Sequence, residues 1–331
     1  MSHKLRFSAA LMKSIASDAG AALSGEPKGW GRTQRAMVRS LRRYAQQACE
    51  QPPAELRARM NALEIYPVQR LKIEIRRSTI GGVSATWFVP KGEIGEAVVC
   101  YLHGGGYVFG TVRSYADWLI RLALSARCRV VAVDYRLGPE FPFPAALDDA
   151  LAVYRALLAE EGISHQQLFV AGDSAGGGLS VALLVAARDA GLPLPLAAML
   201  ISPWCDLSLS LPSIDANWPS DWLDRGVLAH CARLYLGDHD VRDPRASPLF
   251  AQLEGLPPLA IQYGSAEVLR DECYALGRRA LDAGVRVQLS EFPEMVHGFQ
   301  MMSLIFGEGS VATEELGAFV RSFTSAEYSR A

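Results

Sequence analysis

What this sequence lacks removes several classes of function at once. Acidic and basic side chains, 35 and 33, nearly cancel to a formal charge of −2, and the pI is about 6.3. A nucleic-acid-binding domain needs a basic surplus to neutralise phosphates, so no nucleic-acid partner is expected. The six cysteines, at 49, 100, 128, 205, 231 and 273, form no C-x-x-C pair and no short cluster with histidine. That spacing indicates neither a metal site nor a disulfide framework. Free thiols of this kind suit a reducing compartment, and the cytoplasm is the expected location. The opening stretch, 1–23, is basic and partly apolar, but Lys13 and Asp18 interrupt any secretory hydrophobic region. Uncharged stretches such as 191–205 contain prolines and fall short of the roughly 18 to 20 apolar residues of a membrane helix, so no stable membrane insertion is expected. There is no internal repeat and no low-complexity segment.

What is present is a chain of 331 residues, half of them hydrophobic, enough for one large α/β domain or two average ones. Two helical patterns come first. In the second, about 31–50, Val38, Leu41, Ala45 and Ala48 share a face largely opposite Arg32, Arg35, Arg39, Arg42 and Arg43, and the basic face reads as solvated. From residue 70 the period drops to two: Leu71, Ile73 and Ile75 alternate with charged residues, then Gly81-Gly82 turns the chain into Val83 to Val89, a hairpin with one wet face. Short β-rich runs follow at about 97–102, 129–134, 167–171, 197–201, 259–263 and 285–292, most of them separated by helical patterns. Apolar runs without alternation suit parallel strands covered on both faces. The expected fold is therefore α/β, a mostly parallel eight-stranded sheet flanked by helices with an antiparallel N-terminal edge. The long connection from about 202 to 258, carrying Trp204, Trp218 and Trp222, reads as lid or cap structure.

The most informative segment is Gly172-Asp173-Ser174-Ala175-Gly176, between an apolar strand and a helical pattern that ends at Gly191 before Pro193. A serine at a sharp strand-to-helix turn, with small neighbours, presents its hydroxyl as a nucleophile. It then needs a base, and the base needs a carboxylate to orient it and stabilise its charge. Among the histidines, His3 lies at the terminus, His165 precedes a strand, His230 and His239 fall in the connection, and His103 opens a glycine loop that it can brace. His297, in a loop just after the last strand, is the candidate base. For the acid, Glu267 comes first after the seventh strand, whereas Asp271 and Glu272 fall at the start of the next helix; Glu267 is favoured and Asp271 is the alternative. Acyl transfer also needs N–H groups where the oxyanion forms, and Gly104, Gly105 and Gly106 with the N–H of Ala175 can supply them. A phosphate cradle is the competing meaning of the glycines, but no Lys-Ser/Thr ending or G-x-G-x-x-G accompanies them.

These residues together resemble the bacterial hormone-sensitive-lipase-like (family IV) carboxylesterases of the α/β-hydrolase superfamily. The likeness runs from about 70 to 305 through His103-Gly104-Gly105-Gly106-Tyr107, Asp134 to Glu140, Phe143-Pro144-Ala145-Ala146, the serine segment and His297-Gly298-Phe299. It implies hydrolysis of small esters of short to medium acyl chain by an acyl-enzyme route with no cofactor, and a tendency to form a homodimer. Lactone or amide hydrolysis by the same residues is an alternative. A non-catalytic ligand-binding role, as in the plant gibberellin receptors that lack the histidine, is the remote one. The resemblance also implies a helical cap from residues 1–65 and about 205–240 on a catalytic domain spanning 66–331, with Tyr107, Trp204, Trp218 and Trp222 as substrate contacts. One departure stands out: Glu267-Val268 occupies the place of the family's usual Asp-Pro.

Overall fold

The computed structural model describes residues 25–61 and 69–324. The first N-terminal helical pattern, His3 and the stretch weighed as a secretory signal lie outside them. Strands β1 (Ile73–Ile80) and β2 (Val83–Pro90) form the expected hairpin, in antiparallel register from Ile80↔Val83 to Ile73↔Pro90. Leu71 does not open the first strand. It sits in a 3-10 turn at Arg70–Lys72 and is 87% exposed; the Lys72 N–H bonds back to the Gln69 carbonyl at 3.0 Å, and only the Lys72 carbonyl reaches the partner strand, accepting the Lys91 N–H at 3.0 Å.

The remaining strands are β3 (Val98–Leu102), β4 (Arg129–Val133), β5 (Leu168–Asp173), β6 (Ala197–Ile201), β7 (Leu259–Gly264) and β8 (Val287–Phe292). They complete an eight-stranded sheet in the order β1-β2-β4-β3-β5-β6-β7-β8. β2 runs antiparallel to β4, and every later pairing is parallel. β3, β5 and β6 are buried at every position, and period-two geometry divides their side chains between two cores. Cys100, Leu102, Leu168, Val170 and Leu200 face one core with helices α4 (Ala145–Ala159), α5 (Ala175–Asp189) and α8 (Arg270–Asp282). Val99, Tyr101, Phe169, Ala171 and Met199 face the other with α3 (Ala116–Ala126) and α9 (Glu308–Thr324). Each large side chain so placed contributes roughly 1.5–3 kcal/mol of burial.

The chain leaves β3 toward β4 on one side and comes back to β5 on the other. The loops beyond the carboxyl ends of β3 and β5 therefore diverge at a switch point, where open α/β sheets form their crevice. Over this crevice lie α1 (Arg32–Cys49), α2 (Pro53–Asn61) and, from the long connection, α7 (Arg225–Leu236); a single turn α6 (Ser213–Ala216) of the same connection instead bonds to Val268 and Asp271 through Ser213. Asp224 caps α7 by accepting the Val227 N–H at 2.8 Å.

The basic face of α1 is not simply solvated. Arg39 and Arg42 are buried. Arg39 pairs with Glu26 at 2.7 Å, and Arg42 Nη2 donates to the carbonyl of Pro219 at 2.9 Å. Sequence periodicity ranks arginine with the wet side, but its planar fork is weakly hydrated and suits buried acceptors. Here main-chain carbonyls of the connection draw it inward.

Candidate active site

At the end of β5 the backbone reverses through Ser174, whose φ of 53° and ψ of −123° make it a strained non-glycine residue. The turn works because its neighbours are small: a Cβ on Gly176 would stand 2.0 Å from the carbonyl oxygen of Leu102. Ala175 opens α5, where no earlier carbonyl of the helix can reach its N–H. Ser174 lines a cavity of about 420 Å³ together with His297, Gly105, Gly106, Trp204 and Trp222. Met37 and Leu41 of α1, Met60 of α2 and Val227, Leu228 and Cys231 of α7 give that cavity an apolar roof.

The glycine loop after β3 divides its N–H groups. Gly104 donates to Asp173 Oδ1 at 2.8 Å, so its N–H is committed and does not face the cavity as a donor, which departs from the sequence expectation. Gly105, at a φ of 114° that a side chain rarely adopts, and Gly106 are the two that reach the cavity wall. Asp173 also accepts Tyr101 Oη at 2.7 Å and Tyr115 Oη at 3.0 Å. Burial raises its pKa, and these three hydrogen bonds oppose the rise. His103 is buried behind the loop, stacked on Tyr135 at 4.5 Å, with its Nδ1–H donated to the Gly104 carbonyl at 2.7 Å. Burial lowers its pKa, consistent with a neutral brace.

Glu267 is fully buried beyond β7. Its Oε2 accepts Ser202 Oγ at 2.7 Å and the Gly264 N–H at 2.8 Å, which leaves Oε1 toward His297 Nδ1 at 3.8 Å. That separation is an ion-pair distance, and Nδ1 makes no hydrogen bond among the described residues. Burial alone would depress the pKa of His297, but Glu267 and then Asp221 and Asp173 outweigh it, and the net shift is upward. Asp271 stands elsewhere. It accepts the Ser213 N–H at 2.9 Å, pairs with Arg270 at 2.7 Å and lies in the first turn of α8. Glu272 is also in that turn, buried, and accepts main-chain N–H groups of Cys205 and Asp206.

Trp204 and Trp222 reach the cavity wall. Two other residues expected as substrate contacts are not brought there: Tyr107 is buried against Tyr235 with ring centroids 3.8 Å apart, and Trp218 is 46% exposed under the Arg42 guanidinium. Sequence reasoning missed Ser202 and Asp221. Ser202 could have been suspected, because it follows β6 directly at the carboxyl edge of the sheet, where sites of such folds gather. Asp221 carries no signal in the chain; only folding brings it to His297.

A serine, a buried acid and a histidine on the loops after β5, β7 and β8, in that chain order, make the arrangement of an α/β-hydrolase. A model of the α/β-hydrolase fold family matches residues 99–301, and the chain belongs to that family. Within it, the chain is 45% identical over 247 residues to an acetyl-hydrolase of Streptomyces hygroscopicus, covering 74% of this chain and 82% of that protein. It is 36% identical over 273 residues to a carboxylesterase of Mycobacterium tuberculosis, covering 78% and 85%. The crystal structure of an esterase from the bacterial hormone-sensitive lipase family superposes with a TM-score of 0.80 at 38% identity, over 87% of this chain and 98% of that one. The protein is thus a hormone-sensitive-lipase-like ester hydrolase. Among the described residues no helix is long and apolar enough to cross a membrane.

Proposed function

We propose that this esterase cleaves small carboxylic esters of short to medium acyl chain with Ser174 as nucleophile, His297 as general base and Glu267 as the acid behind it. The carrying observation is that Ser174 and His297 line one cavity while Glu267 approaches Nδ1 of the same imidazole at 3.8 Å. Ser174 Oγ attacks the ester carbonyl carbon as His297 Nε2 takes its proton. The oxyanion meets the N–H groups of Gly105, Gly106 and Ala175, with Gly104 acting one step back through Asp173. Collapse expels the alcohol, which takes the proton from His297. Water, deprotonated by the same ring, then attacks the acyl-serine, and collapse frees the acid as the ring returns that proton to Ser174 Oγ. Glu267 stabilises the imidazolium in both half-reactions, and its contact with Nδ1 shortens in the reacting complex, as catalytic hydrogen bonds commonly do.

The cavity falls within the roughly 300–1,000 Å³ typical of small-ligand sites, and its Met, Leu and Trp walls favour an apolar acyl or alkyl group. A cap of residues 1–65 and about 205–240 on the catalytic domain 66–331 accounts for a roof made by α1, α2 and α7. The resemblance supports a homodimer, and six free thiols, five of them buried, suit a reducing cytoplasm. β8 ends the sheet without a further strand among the described residues, and a monomeric mass by solution scattering would remove the dimer. A purely ligand-binding role gives no reason for a serine on a strained turn and a histidine backed by a buried carboxylate to line one cavity. In the deciding experiment an alkyl phosphonate adds covalently to Ser174, and Ser174→Ala folds normally but loses nearly all turnover of a p-nitrophenyl ester. An adduct mapped by mass spectrometry to another residue would sink the assignment.

A further inference from the structure

Asp221 lies in the connection between β6 and α7, belongs to no motif, and is fully buried. Its Oδ1 accepts the N–H of Trp222 at 2.7 Å and that of His297 at 3.2 Å. Its Oδ2 accepts the N–H of Val268, the residue after Glu267, at 2.9 Å. The next residue completes the grip: Trp222 donates its indole Nε1–H to the His297 carbonyl at 2.8 Å. Both main-chain polar groups of His297 are therefore held by one dipeptide of the connection, and the same carboxylate ties down the loop that carries Glu267. The dipeptide is itself fastened from α1, since Arg42 Nε donates to the Asp221 carbonyl at 2.8 Å.

We propose that Asp221 is a positioning residue for ester hydrolysis: with Trp222 it clamps the His297 loop to the Glu267 loop, so that the connection sets where the imidazole stands when it accepts the serine proton. It acts through main-chain groups and touches no reacting atom. Its charge has a second effect. The imidazole is surrounded by the carboxylates of Glu267, Asp221 and Asp173, all of which favour its protonated form, while Arg42 faces Asp221 from α1. Removing the Asp221 charge must weaken that bias.

The proposal rests on His297 being the base, and the test separates the two. Asp221→Asn preserves shape but turns an NH2 toward an N–H that had an acceptor, and it deletes the charge. We expect kcat to fall on the order of 10²-fold, the scale of a small misplacement of a catalytic group, with KM little changed. The acidic limb of the kcat/KM profile should move to lower pH. In a Ser174→Ala background the His297 ring, followed by proton NMR, should titrate at lower pH once Asp221→Asn is added, a readout that needs no turnover. An unchanged kcat overturns the proposal, and so does a lowered kcat with an unmoved His297 titration, which would signify general damage to the fold. Should Asp221→Asn not fold, Trp222→Phe keeps the ring but loses the donor to His297; it should lower kcat about tenfold, one hydrogen bond's worth, and an unchanged kcat there overturns the clamp equally. If His297→Ala retains turnover, the base assignment itself falls and takes the clamp with it, whereas a dead His297→Ala beside a fully active Asp221→Asn refutes the clamp alone.

Discussion

At the scale of single residues, the two acids after β7 differ in what surrounds them more than in sequence position. Glu267 gives one oxygen to Ser202 and Gly264 and keeps the other toward His297. Asp271 spends its oxygens on Ser213 and Arg270. Glu267→Gln should retain the shape and lose the charge that steadies the imidazolium, lowering kcat by about 10³- to 10⁴-fold on the precedent of serine-protease triads. Asp271→Asn should leave kcat near wild type and affect mainly stability, by about 1 kcal/mol as a helix-start carboxylate. Steady-state kinetics on the pair decides the matter, and the reverse ranking would transfer the acid role to Asp271. Glutamate reaches one methylene further than the family's usual aspartate. Ser202 holds the far oxygen at 2.7 Å, and the near one stands 3.8 Å from His297 Nδ1.

At the scale of elements, the strand-to-helix turn depends on backbone packed against backbone. Gly176→Ala would place a methyl 2.0 Å from the Leu102 carbonyl oxygen, so β3 and α5 would have to part. A loss of about 1–3 kcal/mol or more is expected, visible as a lowered melting temperature with loss of turnover; a variant as stable as the parent would show the turn to be looser than described. Deleting residues 1–40 tests α1 in the same way. It removes Met37 from the cavity roof and leaves neighbouring apolar surface exposed. Aggregation or an altered chain-length preference should follow, and a soluble product with the parent's profile would exclude the N-terminus from the pocket. The elements themselves were largely legible in the chain, because parallel strands, the hairpin and α5 are written in local periodicity and in Gly/Pro stops. Arg42 was misread for the opposite reason: its acceptors are carbonyls some 177–179 positions away, and no local pattern encodes them. Ser174, Glu267 and His297 could be picked out because each follows a recognisable strand, whereas Asp221 is one polar residue among several in a connection without period.

At the scale of the whole molecule, the charges gathered around the site set its working pH. In the proposed mechanism His297 is neutral when it accepts the serine proton, and Glu267, Asp221 and Asp173 together lift its pKa above the ordinary 6.5 despite burial. Turnover should therefore rise with pH through a midpoint above 6.5 and fade below it, as a kcat/KM profile with a non-ionising ester will record; an acidic limb below 6 would contradict that balance. The sheet meanwhile fixes a different quantity. Asp173 precedes Ser174 in the chain, and it holds the Gly104 N–H of the glycine loop at 2.8 Å, while β3 and β5 are hydrogen-bonded neighbours. The proposed nucleophile and the glycine donors proposed for the oxyanion are thus carried by adjacent, hydrogen-bonded strands, and α2 of the roof is tied to the same loop, Arg57 donating to the Val108 carbonyl and Asn61 accepting the Gly110 N–H. A substitution confined to the cavity wall, at Met37 or Leu41 of α1, would change which esters fit while leaving the spacing between Ser174 and the glycine donors as β3 and β5 set it. Selectivity can then drift by substitution at such wall positions, from one acyl group to another, without retuning the barrier to acyl transfer itself, provided the Arg42, Asp221 and Trp222 contacts are kept.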